Sequence, residues 1–220
     1  MKTFISILIF LNCYGLFGQK IEVFSGVTNN VFHDYNRDEG HSWARYNSDF
    51  GFTAGLGLDS INIRWLRLRF TLQFDNYNGK LDAADGGLGQ GHTAKAKINK
   101  SIISLGVFPI NFRMIKRVDL NFGFEVSRLM DETFEGTCSA FSLGQYNWSS
   151  TLQEKYNRYS SSTYFGLKGR VTYDFNLSKS IMISPQYMYY FGLSNEFIEF
   201  PKDTKSMRHY FCIGIKNKIK

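Results

Sequence analysis

Residues able to do acid–base, metal or nucleophile chemistry are few and scattered in this chain. His33, His41, His92 and His209 lie in or beside polar stretches, and no pair has the spacing to Cys or Glu that a zinc site needs. The run Asp34-Tyr35-Asn36-Arg37-Asp38-Glu39-Gly40 has the acids of a calcium loop, but its Gly is one place late and Arg45 stands where the closing Glu belongs. Ser206 with His209, and Ser42 with His41, are the nearest approaches to a Ser–His pair, and neither lies in a nucleophile motif. The expectation is no catalytic residue, no metal site and no cofactor.

A second set of polar residues has a regular spacing. In Leu66-Arg67-Leu68-Arg69-Phe70-Thr71-Leu72-Gln73-Phe74, apolar and polar side chains alternate, and on a strand they point to opposite faces. The same two-faced pattern places Arg67, Arg69, Asp75, Asp119, Glu125, Lys168, Arg170 and Asp174 on faces opposite Leu, Phe, Val and Tyr. Charges of both signs facing a narrow interior are tolerable as hydrogen-bonded pairs, whereas an unpaired one costs several kcal/mol. These eight residues are therefore expected to form a structural charge network that plugs an interior. Arg67 and Arg69 come early in their strand, so the alternative for them is a place in water at the barrel end, where pairing contributes about 0 to 1 kcal/mol.

Strands must position these groups. Apolar positions recur with period two near Ile21, along Phe50 to Leu58, Leu66 to Phe74, Ile103 to Val107, Val118 to Ser127, Phe165 to Phe175, Ile181 to Phe191 and Phe211 to Lys216. That makes about eight strands, each near the length that crosses a bilayer at a tilt. Asp59-Ser60 and Asn176-Leu177-Ser178-Lys179 read as tight turns, and Arg113 to Lys116 as a moderate one. His33 to Ser48, Asn76 to Ala94, Asp131 to Ser162 and Ser194 to Lys205 read as long connections, so short and long alternate along the chain.

Aromatics make up 17% of the 220 residues and there are only 3 Pro, a composition that favours strands. The net charge of +7 is spread without a basic run, which argues against nucleic-acid binding. Lys2 followed by the apolar run from Phe4 and a small residue at Gly18 has the layout of a secretory signal, dividing the chain into residues 1–18 and a single domain over 19–220. Phe10-Leu11-Asn12 before Cys13 lacks the small residues of lipoprotein processing. Of the remaining cysteines, Cys138 reads as a loop residue and Cys212 as a strand residue, so no disulfide is expected.

Two arrangements satisfy such alternation: a soluble lipocalin-like barrel with apolar faces inward, or a membrane barrel with apolar faces outward. The apolar faces carry Phe, Tyr and Leu too bulky for the interior of an eight-stranded barrel, while the opposite faces carry Gly51, Gly55, Gly57, Gly106, Gly123 and Gly166. The expectation is an all-β, antiparallel up-and-down transmembrane barrel in the cell outer membrane. Its expected contacts are outer-membrane lipid and lipopolysaccharide, and the barrel-assembly machinery during insertion. Trp43, Arg45, Tyr46, Tyr146, Trp148, Tyr156, Arg158 and Tyr159 in the outer connections suit a binding surface or, more simply, the aromatic girdle at the interface. The function this suggests is a non-enzymatic scaffold; passive transport through the lumen and lipid modification are the alternatives.

Ser101 to Arg113, followed by Leu120-Asn121-Phe122-Gly123-Phe124-Glu125-Val126-Ser127-Arg128-Leu129, resembles the central hairpin of the porin-like outer-membrane β-barrel family, PorT-like proteins included. Tyr187-Met188-Tyr189-Tyr190-Phe191-Gly192-Leu193-Ser194-Asn195 is similar to the aromatic strand that ends in Gly-Leu-Thr-Asn in that family. Ser104 to Val107 departs from the Glu-Ile-Pro-Leu-like run usual there. The resemblance implies an outer-membrane barrel of a Gram-negative bacterium and carries over no catalytic residues.

Overall fold

The computed structural model describes residues 20–33, 37–39, 42–63, 66–87, 90–115, 117–142, 148–155, 160–198 and 204–218. The signal-like segment 1–18, most of the calcium-like run, His41, and Tyr146, Tyr156, Arg158 and Tyr159 lie outside these. Every element among the described residues is a strand: β1 (Lys20–His33), β2 (Arg37–Glu39), β3 (Ser42–Ser48), β4 (Phe50–Ile63), β5 (Leu66–Gly87), β6 (Gln90–Ile115), β7 (Val118–Ser142), β8 (Trp148–Lys155), β9 (Thr163–Tyr173), β10 (Phe175–Asn176), β11 (Ile181–Gly192) and β12 (Lys205–Lys218).

Eight of them close into a ring. Ile21 on β1 pairs with Leu58 on β4, then the ladder runs through Phe70 on β5, Val107 on β6, Phe124 on β7, Leu167 on β9, Phe191 on β11 and Met207 on β12. Met207 pairs with Val31 of β1, ten residues beyond the starting point. Eight strands with a stagger of ten residues, at ordinary strand spacing and rise, imply a tilt of about 40° and a backbone radius of about 8 Å. Such a ring has no sheet edge and an interior that side chains can fill.

The surface of the ring is inverted relative to a soluble protein. Val23, Phe52, Leu56, Leu72, Leu105, Phe124, Val126, Phe165, Phe211, Ile213 and Ile215 are exposed on the outside, whereas Glu22, Arg69, Asp75, Glu125, Lys168, Arg170, Arg208 and Lys216 are buried within. An apolar belt of this extent would drive aggregation in water, and in lipid it is the favourable exterior.

β5, β6 and β7 continue far above the ring, and at its rim they exchange faces. On β5 the outward residues change from Leu72 and Phe74 to Asn76, Asn78 and Lys80, while the inward ones change from Gln73 and Asp75 to Tyr77 and Gly79. On β6, read upward, Leu105 and Ile103 give way outside to Ser101, Asn99 and Lys97, and inside Ser104 gives way to Ile102, Lys100, Ile98 and Ala96. A strand in lipid needs its apolar face outward and a strand in water needs it inward, so the exchange marks the membrane surface.

The upper strands form a projecting sheet with β3, β8 and the short β2. Three expected loops are therefore mostly strand, His33 to Ser48 among them, since it carries β2 and β3. Asn76 to Ala94 is paired throughout as a β5–β6 hairpin apart from its tip, and Asp131 to Ser142 belongs to β7, with β8 beside it. On β5 and β6 the alternation stays regular but changes phase, and on β7 a register shift at Met130, between Leu129 and Asp131, turns the same sequence parity inward, so none of them reads as a continuation of the strand below. Asp59-Ser60 is likewise not a turn: it lies in β4 at a register shift between Leu58 and Ile61, and pairing with β5 resumes beyond it.

Candidate functional site: the charged lumen and the projecting sheet

The lumen is packed in three tiers. Lowest is Glu22, fully buried, whose carboxylate accepts from Arg170 Nη2 at 2.7 and 2.8 Å and from Arg69 Nη2. Arg170 Nε also donates to Gln186 at 2.5 Å, and Arg69 reaches Asp59 at 3.4 Å. Two glycines make room for this carboxylate. A Cβ on Gly57 would lie 2.9 Å from Arg69 Nη2 and 3.1 Å from Glu22 Oε2, and one on Gly214 would fall against Glu22 Oε1. Nearby, Asp174 accepts from Lys216 and Ser184, each at 2.6 Å, and Asp119 pairs at 2.9 Å with Arg113, half-exposed at the barrel end.

The middle tier centres on Glu125, which binds Lys168, Arg208 at 3.3 Å and Ser127 at 3.0 Å. Lys168 also donates to Gln73 at 2.7 Å and lies over the Tyr210 ring, while Arg208 stacks 4.2 Å from the Tyr190 centroid. Asp75 is held by neutral donors: Thr53 and Gln73 at 2.6 Å and Tyr210 at 3.2 Å.

In the top tier Lys100 binds Glu196 at 2.7 Å and Glu132 at 3.1 Å and faces the Phe197 ring at 4.5 Å. Tyr77 donates to Glu196 at 2.8 Å. Glu196 and Phe197 belong to the described part of the β11–β12 connection and lie in the barrel mouth: Ser161 N donates to Glu196 O at 2.9 Å and Glu196 N to Thr204 O at 2.7 Å. Around them Phe32, Ala44, Tyr46, Ala96, Ile98, Ile102, Leu129, Phe134 and Tyr164 form an apolar cap.

The structure thus places Arg69, Asp75, Asp119, Glu125, Lys168, Arg170 and Asp174 inside the barrel, and the side chain of Arg67 lies outside the described residues. Arg69 is 1% exposed, which overturns the water-exposed alternative for it. The pairing assumed from these residues alone is incomplete. Glu22, Lys100, Glu132, Glu196, Arg208 and Lys216 are also buried in the network, and the described interior holds more carboxylates than cations, which is why Asp75 depends on neutral donors. Parity is the signal that could have found Glu22, which alternates with Ile21 and Val23, and Lys216, two beyond Gly214. Glu196 sits in a connection, where no periodicity exists to reveal it.

Ser206 and His209 are not a pair. Three residues apart on β12 they face opposite ways: Ser206 is inside, bonded to Asn30, and His209 is outside, its Nδ1 2.7 Å from the Tyr187 hydroxyl. Tyr46, expected in the girdle, is turned inward, with its ring lying across Gly79, where a Cβ would clash. Trp43 and Arg45 lie on the sheet's outer face, Arg45 5.3 Å from the Trp43 centroid; the Trp148 side chain lies outside the described residues. Cys138 is on β7 rather than in a loop, and it and Cys212 are free thiols. Among the described residues no group of three His, Cys, Asp or Glu side chains is placed to hold a metal ion.

A closed antiparallel ring, a lipid-compatible exterior and a polar packed interior define a small outer-membrane β-barrel. No family model matches the chain, and no curated protein matches it. Among solved structures it is similar to Neisserial surface protein A, with 12% identity over 92% of this chain and 97% of that one and a TM-score of 0.43. It is also similar to OprG from Pseudomonas aeruginosa, with 14% identity, 91% and 96% coverage and a TM-score of 0.43. Ail, the attachment invasion locus protein of Yersinia pestis, gives 14%, 91%, 99% and 0.40. At these values the assignment rests on the chain's own ladder and surface.

Proposed function

We propose that this protein is a non-enzymatic outer-membrane scaffold whose barrel anchors a projecting sheet for contact with lipopolysaccharide, a partner protein or another surface. The observation that carries this reading is the filled lumen, spanned from Glu22 to Glu196 by buried paired charges and roofed by aromatic side chains. A solute would have to break several desolvated ion pairs to pass, each break leaving a buried charge at a cost of several kcal/mol. The projecting strands extend well beyond the roof they give the lumen, and the ring is complete below them. The likeness of the central hairpin to PorT-like proteins supports the same class.

The test is conductance of the purified folded protein in planar bilayers. The expected result is no stable open state; large, long-lived steps would replace the scaffold reading with passive transport.

A further inference from the structure

Just above the membrane boundary, the outer face of the projecting sheet carries a hollow of about 460 Å³. Its polar lining is Asp49, Asn78, Lys80, Lys97, Asn99, Thr133 and Glu135, with Gly79 and Ile98 at its floor. Its size is that of a ligand site, although its walls are polar. Lys80 and Lys97 are direct cross-strand partners. Like charges placed opposite one another weaken a sheet, and neither lysine has an ion pair among the described residues. The two cations stand side by side with Glu135 directly opposite Lys97 on β7 and no ion pair closed among them, which leaves both ammonium groups open to an anion that also satisfies the neighbouring carboxylates.

The rest of the lining narrows the class of anion. Asn99 donates to Asn78 Oδ1 at 2.6 Å and also binds Asn76, and Asn76 Nδ2 donates to Ser101 at 3.0 Å, so the amides are held in a fixed ladder. Asp49 and Glu135 would repel a bare phosphate. They suit a ligand that presents hydroxyl or amine donors beside its phosphate. The geometry points to a phosphorylated saccharide, with its phosphate between Lys80 and Lys97 and its hydroxyls toward Asp49, Glu135 and the asparagine amides. The hollow lies directly above Phe74 and Ile103 at the top of the apolar belt, where the sugar phosphates of lipopolysaccharide head groups are found. This assignment rests on the reading of the projection as a contact surface and names its ligand.

The experiment uses the full folded barrel, checked by its unboiled gel migration, with Lys80→Ala/Lys97→Ala and the charge-keeping Lys80→Arg/Lys97→Arg double variants. In detergent, titration with the lipid-free phosphorylated oligosaccharide released from lipopolysaccharide should show saturable binding. The alanine variant should weaken it tenfold or more, the arginine variant should largely retain it, and enzymatic dephosphorylation of the oligosaccharide should weaken it similarly. In vesicles with and without lipopolysaccharide, the heating midpoint of the folded band should rise with lipopolysaccharide for the parent and not for the alanine variant. A response in the vesicle arm assigns a lipid-anchored source, and binding in detergent alone assigns a soluble one. Equal behaviour of parent and alanine variant in both arms overturns the site, and inorganic phosphate binding as tightly as the oligosaccharide overturns the saccharide class. Bilayer conductance is independent of all these outcomes, so the scaffold reading fails or holds separately.

Discussion

The lower barrel and the projecting sheet share three strands, yet they are stabilised in opposite ways. Below the rim, β5, β6 and β7 present Leu72, Leu105 and Phe124 outward and hold Gln73, Ser104 and Glu125 inside. Above it they present Lys80, Lys97 and Glu135 outward and bury Tyr77, Ile98 and Phe134. The backbone ladder continues through the change, with a register shift between Ser101 and Ile102 on the β6–β7 side, because strand pairing satisfies amides and carbonyls in either setting. What changes is the solvent. In lipid no hydrophobic force drives apolar side chains inward, so the interior is held by charged hydrogen bonds; in water the aromatic interior returns.

The sharpest way to break this contrast is to remove the acid on which two lower-tier arginines depend. Glu22→Ala strands Arg69 and Arg170 without their shared carboxylate, and loss of one buried partner costs about 3 to 5 kcal/mol. Urea unfolding in detergent micelles, followed by gel shift, should show a barrel weakened by that amount or unable to fold; an unchanged midpoint would remove Glu22 from the centre of the network.

A subtler intervention keeps all charges and takes their space. Gly214→Val puts side-chain atoms where Glu22 lies, and overpacking of this kind costs about 1 to 3 kcal/mol. Gly192→Ala is the control, since a Cβ there meets Ser206 backbone at 2.9 Å but not Glu22. If Gly214→Val and Gly192→Ala behave alike, the loss is a general cost of β-carbon insertion rather than displacement of the carboxylate.

The smallest effect belongs to the projection. Ile98→Val trims one methylene from the apolar cap, at about 0.5 to 1.5 kcal/mol. Native-state hydrogen exchange should speed up in the upper halves of β5 to β7 while the amides between Leu66 and Phe74 keep their protection. Equal acceleration in both halves would make barrel and projection one cooperative unit and dissolve the distinction.

The barrel half of the molecule was legible because one environment holds along each strand there. Leu66 to Phe74, Val118 to Ser127 and Phe165 to Phe175 alternate without interruption, and the parity of Asp75, Glu125, Lys168 and Arg170 follows from period two alone. Tyr77, Ile98 and Phe134 escaped for the complementary reason. The hydrophobic pattern of β5 and β6 changes phase at the rim, which reads as the end of a strand, and on β7 a register shift at Met130 turns Phe134 inward although it keeps the sequence parity of Phe124.

Sequence by itself determined the strand periodicity, the inward direction of the charges and the apolar belt, all of which depend on nearest neighbours along one chain. Tertiary structure alone decided which charges meet. Glu22 lies 148 positions from Arg170 and Lys100 lies 96 from Glu196. Those pairs exist because ring closure at a stagger of ten residues brings β1 near β9, and because Glu196 lies in the mouth beside Lys100 of β6. The stagger is a property of the closed ring as a whole, and no single strand encodes it.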